Sequence, residues 1–462
     1  MKRIWRTGLA LLAGAILTGC GGQAEMGESG QETGNPLTEP MGRTVLTLAT
    51  SYAADRELTE RVEAFNQTNE EYFVEVLRYE WDGLEEGRPR EDFAAWVTMQ
   101  ILSGEGPDIV EYGGSYSPAL ASAGLMEDLY PWLDGEFPRE ALYENILEAF
   151  EQNGGLYVLP TGFKINTMCG KSRELGEDRG VTEGWEIGEM MEAYENSESA
   201  EQLLINHSKA LVFRELCSGC MGNYVDWETG ECSFEDPDFI ELLEFSDTFS
   251  DRLLIPEDFS YFASLQSGQT FLQPVLLTGP KQIATMRVTF GDVAVCWPGY
   301  PVADGEKELG GGVADIYGPA FSVCANSRNK EGAWEFISSF LTPETQREVS
   351  GIPLLRSVSE ERIQEALTVE YETVDGVRRE KVKFEIVAEG EDSVPMTCIT
   401  EEDAEIFRSI VEGTRRGTEV DRGLADIIVE EAGAYFGKDK DASVVAATIQ
   451  NRALTYVQER MK

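Results

Sequence analysis

Residues 45 to 79, VLTLATSYAADRELTERVEAFNQTNEEYFVEVLRY, carry the pattern that decides the fold. The run from 45 to 49 is short, apolar and partly β-branched, which predicts a buried strand. The run from 72 to 79 predicts a second strand. Between them a helix is predicted to start near Asp55, because apolar residues recur there at helical spacing: Leu58, Val62 and Phe65. Strand, helix and strand in this order predict the opening unit of an α/β sheet.

The same alternation continues along the chain. A helical stripe from Phe93 to Ile101 precedes a predicted strand at Pro107 to Val110 and a short helix at Ser117 to Ala123. The last hundred residues predict helices. A chain of 462 residues is too long for one ordinary domain. We therefore expect two α/β lobes with mostly parallel sheets and a helical C-terminal portion.

The N-terminus has the pattern of a bacterial lipoprotein signal. Lys2, Arg3 and Arg6 precede an apolar segment, residues 8 to 17, that is too short for a permanent membrane helix. Small residues then lead to Cys20, whose thiol would take the lipid. We expect residues 1–19 to be a lipoprotein signal peptide and residues 20–43, rich in Gly, Glu and Pro, to be a lipidated flexible tether. The alternative is a secretory signal with a chance cysteine.

The net charge of the chain limits the classes of partner that it can bind. The formal net charge is −46, spread along the sequence. Nucleic acid is excluded as a partner, because neutralising phosphates needs a basic surface. After the signal no apolar run approaches the length of a membrane span, so we expect a soluble body on the outer side of the cell membrane.

Seven cysteines remain once Cys20 is assigned to lipid, and an odd number cannot all pair within the chain. Cys217 and Cys220 form a CxxC pair that is compatible with a local disulfide, a redox pair or half of a zinc site. No second CxxC completes a tetrahedral set, and the spacing of Cys232 from His207 fits no metal motif. We expect structural cysteines, with no metal and no cofactor.

Five segments in order resemble the carbohydrate-binding group of extracellular solute-binding proteins of ABC transporters. They are SGEGPDIVEYGG at 103 to 114, SAGLMEDLYPWLD at 122 to 134, GGLYVLPTGFKINTM at 154 to 168, GWEIGEMMEAYEN at 184 to 196 and NSRNKEGAWEFISSFLTPETQ at 326 to 346. The resemblance implies a two-lobed periplasmic-binding-protein type II fold with a hinge between the lobes. It also implies a receptor, monomeric, that captures a sugar or oligosaccharide and delivers it to the membrane permease of an ABC transporter.

In this family the chain crosses three times between the lobes, and ligand binds in the cleft between them. By motif, the crossings are expected near 162–165, 297–301 and 351–355. The implied N-lobe comprises 44–163 and 301–350, and the implied C-lobe comprises 164–300 and 351–462.

Sugar sites combine aromatic faces with hydrogen-bonding side chains. The residues of these types that the resemblance places at strand ends or crossings are predicted to bind ligand: Tyr52, Tyr112, Ser115, Tyr116, Phe163, Lys164, Asn206, Lys281, Trp297 and Tyr300. Ser51 and Lys209 lie beside them. Trp334 is assigned to the core, because it belongs to a helical apolar stripe. The chain departs from the maltose-binding pattern at the expected cleft carboxylates and C-lobe tryptophan, so the sugar need not be maltose.

Other classes of function remain open from sequence. The fold could take a solute that is not a sugar, or serve as an adhesin or signalling partner. A surface glycosidase is compatible with 84 acidic residues, because two carboxylates suffice for that chemistry. However, the chain has one histidine and no G-x-S-x-G, HExxH or GxxxxGK[ST] motif, so we predict that it is not an enzyme.

Overall fold

The computed structural model describes residues 42–50, 56–79, 93–112, 118–176, 179–227, 229–252, 259–303, 305–387, 392–418 and 422–460. The signal, the tether and Cys20 lie outside the described residues. The helices in the described part are α1 Arg56–Thr68, α2 Phe93–Ser103, α3 Pro118–Ser122, α4 Tyr130–Glu136, α5 Glu144–Glu148, α6 Ser172–Leu175, α7 Ile187–Asn196, α8 Lys209–Cys220, α9 Pro237–Ser246, α10 Tyr261–Ser267, α11 Lys281–Thr289, α12 Lys330–Ser338, α13 Pro343–Gln346, α14 Arg356–Leu367, α15 Glu401–Gly413, α16 Arg422–Phe436 and α17 Ala442–Arg460.

The strands form two large sheets and three small hairpins. In chain order they are β1 Thr44–Thr50, β2 Tyr72–Arg78, β3 Ile109–Glu111, β4 Leu159–Pro160, β5 Gly162–Lys171, β6 Gln202–Leu204, β7 Val225–Asp226, β8 Glu231–Cys232, β9 Thr270–Leu277, β10 Val295–Cys296, β11 Val313–Ile316, β12 Ala320–Val323, β13 Ile352–Pro353, β14 Tyr371–Val374, β15 Val377–Glu380, β16 Phe384–Ile386, β17 Val394–Met396 and β18 Arg416–Gly417. The first sheet has the order β2-β1-β3-β12-β4, and the second has the order β18-β11-β5-β9-β6. The opening strand, helix and strand predicted from sequence are confirmed.

The second sheet departs from the predicted parallel arrangement. Among the described strands of the two sheets, only four pairs are parallel: β1 with β2, β1 with β3, β6 with β9, and β11 with β18. β5 runs antiparallel to β9, β10, β11 and β13. For β11 the physical reason is that β5 leads out of the first sheet whereas β11 leads back to it through residues 317–319, so the two neighbours run in opposite directions.

Two hydrophobic clusters fill the molecule. The first surrounds the first sheet and extends over one face of the second sheet, where it includes Phe163 and Ile165. The second covers the other face of the second sheet with α8, α9, α16 and α17, and includes Met168. Trp334 is buried in the first cluster, and the prediction that it belongs to the core is confirmed.

The C-terminal portion is helical in α14 to α17, as predicted, but strands lie between α14 and α15. β14 pairs antiparallel with β15, and β16 pairs antiparallel with β17. The turn of the first hairpin is Asp375-Gly376, and both residues have positive φ, as a tight hairpin turn requires. The Asp-Gly pair is a hairpin signal only two residues long. The helical apolar patterns on either side of it led to the prediction of helices throughout this region.

Among the residues that the structure describes, no helix is both long enough and apolar enough to cross a bilayer.

Candidate functional site

Three segments of chain cross between the two sheets side by side. A single residue, Thr161, separates β4 from β5, and its backbone N–H and hydroxyl both donate to the carbonyl of Pro319, at 3.1 and 2.8 Å. Residues 317–319 join β11 of the second sheet to β12 of the first. The third segment reaches β13, which pairs with Phe163 and Gly162 at the start of β5. These positions agree with the expected first and third crossings.

The second crossing lies some twenty residues later than the sequence indicates. The stretch 297–301 stays with the second sheet, because Gly299 N–H donates to Met168 and the chain continues into β11. Gly299 has φ of 72°, and a side chain there would collide with the Gly311 backbone. The crossing itself is Tyr317-Gly318-Pro319. Both stretches combine an aromatic residue with Gly and Pro, so the pattern alone did not separate them.

The start of β5 presents polar side chains on one face of the second sheet. Lys164 Nζ lies 3.0 Å from Asp315 Oδ2, its direct cross-strand neighbour on β11. Their side chains keep 22% and 26% of their exposure, so water reaches the pair. The ring of Tyr317 lies 5.5 Å from Lys164 Nζ. An ammonium group, a carboxylate and an aromatic ring thus meet beside the crossings.

The first sheet brings a carboxylate to the same end of the molecule. Thr50, the last residue of β1, donates its hydroxyl to Glu111 Oε2 at 2.5 Å, and Glu111 is the last residue of β3. Tyr112 follows, and its N–H donates to Ala320 at the start of β12, directly after the second crossing. Ligands of α/β proteins collect at such carboxyl ends of parallel strands. Glu111 is not among the predicted site residues, although it stands directly after the PDIV strand.

The structure separates the remaining predicted residues. Tyr52, Ser115 and Tyr116, with Ser51, lie outside the described residues. Lys281 is exposed at the start of α11, with its Nζ 5.6 Å from the ring of Phe384 on the β16–β17 hairpin. Asn206 adopts φ of 52° in the loop between β6 and α8, where its N–H donates to Gln202.

Lys209 is held inside the second lobe. Its Nζ contacts Asp247 at 3.0 Å and Asp251 at 2.5 Å, and donates to the carbonyl of Phe436. These bonds tie α8 to α9 and α16. The lysine therefore has a structural role in joining three helices.

Four predicted aromatic residues are buried: Tyr112, Phe163, Trp297 and Tyr300. Tyr300 packs over Gly219, where an added Cβ would come within 1.9 Å of its ring, and donates its hydroxyl to Glu215 at 2.6 Å. Burial, and next the nearby Glu215 carboxylate, raise the pKa of Tyr300 well above its ordinary value. Contact of these four side chains with ligand stays a prediction.

The two lobes also touch away from the crossings. Ser122, at the end of α3, donates its hydroxyl to the carbonyl of Trp227 at 2.9 Å. Trp227 belongs to the second cluster, whereas α3 contributes Leu120 to the first. This bond therefore spans the two lobes.

No group of three or more metal-ligating side chains occurs in the part of the chain that the structure describes. The seven cysteines within that part are free: Cys169, Cys217, Cys220, Cys232, Cys296, Cys324 and Cys398. Burial raises the pKa of Cys220 to about 12, so its thiol stays protonated at neutral pH. A surface depression of about 730 Å³ between α6 and α7 lies away from the crossings.

Solved structures with a similar fold include sugar-binding proteins. The sugar-binding protein MalE from the phytopathogen Xanthomonas citri is 12% identical over 90% of this chain and 98% of its own, with a TM-score of 0.53. A periplasmic oligogalacturonide-binding protein from Yersinia enterocolitica is 12% identical over 91% of this chain and 100% of its own, with a TM-score of 0.54. No family model and no curated protein matches the chain. The predicted type II periplasmic-binding-protein fold is confirmed.

Proposed function

We propose that the chain is an extracellular receptor that captures a sugar or oligosaccharide between its two lobes and delivers it to an ABC permease. The observation that carries this proposal is the polar and aromatic group at the crossings, formed by Lys164, Asp315 and Tyr317. It lies where a ligand would touch both lobes. The two solved proteins of the same fold bind a sugar and an oligogalacturonide, which supports a carbohydrate ligand.

Capture would work by closure about the crossings. A ligand that contacts both lobes binds the closed form better than the open form and so shifts the population toward closure. The closed form is then the one that docks on the permease. We expect the receptor to act as a monomer.

The ligand contacts would come from both lobes. From the first lobe we propose Tyr52, Ser115 and Tyr116, in the loops that follow β1 and β3, together with Tyr112. From the second lobe we propose Lys164, Asn206 and Lys281, with Trp297 and Tyr300 as predicted aromatic contributors. Phe163 was predicted too, but its full burial in the first cluster favours a core role. We add Glu111 to the proposed contacts of the first lobe, because it is the last residue of β3 and carries a carboxylate.

Binding without catalysis is the expected activity. The single histidine, His207, has its Nδ1 2.6 Å from the carbonyl of Ile205, a position that holds the ring to its own loop. The chain carries none of the nucleophile or metal motifs of common hydrolases. The proteins of the same fold named above are binding proteins.

The proposal includes attachment to the outer face of the cell membrane through a lipid on Cys20. Acyl chains gain about 0.8 kcal/mol for each buried methylene, so a cysteine that carries more than one chain would hold a soluble body at the membrane surface. Changing Cys20→Ala should release the protein from the membrane fraction. If the variant stays with the membranes, the lipid anchor is wrong.

Calorimetry with a panel of probes tests the proposed function. The panel contains maltotriose, cellotriose, trigalacturonate and, for solutes that are not sugars, an amino-acid mixture. We expect binding of at least one saccharide, weakened roughly tenfold or more by Lys164→Met, as expected when a charge-assisted hydrogen bond is lost. Lys381→Met, on an exposed hairpin strand where the lysine pairs with Glu370, is the matched control. Binding of the amino acids alone, or of none of the probes, would contradict a sugar receptor.

A further inference from the structure

Tyr317 stands where the three crossings meet. Its backbone N–H donates to the carbonyl of Gly162 at the start of β5, at 3.1 Å. Directly after it, Gly318 turns the chain with φ of 98° into the first sheet. On the third crossing, an added Cβ at Gly351 would lie 2.9 Å from Tyr317 Cδ1. The tyrosine therefore contacts the other two crossings.

Two glycines leave room for Tyr317, Gly351 beside its side chain and Gly162 beside its backbone. An added Cβ at Gly351 would lie 2.5 Å from the Phe163 carbonyl oxygen and 2.9 Å from Tyr317 Cδ1. A side chain at Gly162 would lie 2.2 Å from Val349 and 3.1 Å from the Tyr317 carbonyl oxygen. Gly351 has ordinary φ, so its lack of a side chain serves space and not backbone conformation. Tyr317 as a whole is half-buried.

A lysine and its carboxylate partner lie next to the ring of Tyr317. Lys164 Nζ lies 5.5 Å from the ring centroid and 3.0 Å from Asp315 Oδ2. The ammonium group supplies donors, and the carboxylate supplies acceptors. Sugar rings need this combination, since their C–H face packs on an aromatic ring while their hydroxyl groups require donors and acceptors at the edge.

The charges at this point favour an uncharged ligand. The charges of Lys164 and Asp315 cancel, and the whole chain carries −46. A carboxylated sugar would meet no net positive charge at the pair and a repulsive field from the rest of the protein. A neutral sugar needs no net positive charge at the pair and is not repelled by the negative charge of the protein.

We propose that Tyr317 is an aromatic contact of the ligand and that it stacks on an uncharged sugar ring whose hydroxyl groups bond to Lys164 and Asp315. This inference rests on the proposed function and deepens it, because it names a ligand class and a contact residue that the sequence pattern did not indicate. Asp315 acts on the ligand directly and also positions Lys164.

Affinity for the saccharides of the panel tests the stacking. Tyr317→Leu removes the ring, and we expect affinity for maltotriose or cellotriose to fall roughly tenfold. Tyr317→Phe keeps the ring and should stay within roughly threefold. Tyr371→Leu, an exposed tyrosine on β14, is the control and should leave affinity unchanged. Equal affinity in wild type and Tyr317→Leu would overturn the stacking, and tighter binding of trigalacturonate than of the neutral sugars would overturn the ligand class.

A spectroscopic measurement on the unmodified protein covers the case in which Tyr317→Leu does not fold. With ring-¹³C tyrosine, the Tyr317 resonance is assigned by its absence in Tyr317→Phe. It should shift when the bound saccharide is added, whereas the Tyr371 resonance should not. If the protein binds a saccharide and the Tyr317 resonance stays in place, this inference fails and the proposed function stands. If the protein binds no saccharide, both fail.

Discussion

The two faces of β5 differ although they belong to one strand. Phe163, Ile165 and Cys169 point to the first hydrophobic cluster and are fully buried. On the opposite face, Lys164 and Asn166 reach water near the crossings, and only farther along does Met168 enter the second cluster. Since successive side chains of a strand alternate between faces, one strand builds the core and the cleft at once.

This alternation teaches how to interpret a site motif on a strand. Phe163 and Lys164 are neighbours in sequence, and both are predicted to bind ligand. The structure places them on opposite faces of the second sheet, with the phenylalanine in the core and the lysine in the ion pair. Substitutions on the core face should therefore change mainly the stability of the protein, whereas substitutions on the opposite face should change mainly ligand binding.

The largest effect is expected on the core face. Phe163→Ala should lower the free energy of unfolding by about 3–5 kcal/mol, because it removes a fully buried ring and leaves a cavity. Chemical denaturation of the ligand-free protein measures the change. A loss below about 1 kcal/mol would show that the ring is not part of the core, and would support the predicted ligand contact instead.

A smaller effect of opposite sign is expected on the same face. Thr167 is 1% exposed, and its hydroxyl has no hydrogen-bond partner within the residues that the structure covers. Thr167→Val keeps the shape and removes the unpaired group, so we expect unfolding to cost about 1 kcal/mol more. Thr167→Ser, which keeps the hydroxyl, is the control. A less stable valine variant would mean that the hydroxyl has a partner, such as a buried water.

A pH-dependent effect is expected among the helices that cover the other face. Burial tends to raise the pKa of Asp247, but hydrogen bonds from Lys438 and Lys209 prevail and lower it. The carboxylate therefore stabilises the folded state fully above its unfolded pKa of about 4, and this contribution is lost as pH falls through the lower folded value. The difference in melting temperature between wild type and Asp247→Asn should be largest near neutral pH and shrink below about pH 4. A difference that grows on acidification would contradict this sign.

The smallest stability effect is expected on the cleft face. Lys164→Met should change the free energy of unfolding by less than about 1 kcal/mol, since the ion pair with Asp315 keeps contact with water. The same variant is expected to weaken saccharide binding. A strongly destabilised Lys164→Met would make the lysine structural and end the contrast between the two faces.

The sequence predicted the larger features of this fold because they depend on long apolar patterns. The opening strand-helix-strand unit follows from such patterns, whereas the two lobes were expected from the chain length and the crossings from the resemblance to the solute-binding family. Features that depend on few residues were harder to predict. The Asp375-Gly376 turn is two residues long, and the second crossing at 317–319 carries the same residue types as 297–301.

The candidate site was less predictable because it forms by long-range contact. Lys164 was predicted, but its partner Asp315 lies far away in sequence and comes beside it only through the pairing of β5 with β11. Glu111 meets Thr50 in the same way, through neighbouring strands. No local pattern signals such pairs.

The single residue between β4 and β5 makes Thr161 a pivot, and a pivot amplifies motion. β5 extends ten residues from it. At about 3.3 Å per residue, a rotation of about 10° there carries the far end of β5 through about 6 Å. That distance is twice the length of the bond between Ser122 and Trp227, so a small rotation shared by the three crossings is enough to break the contact between the lobes at their rim.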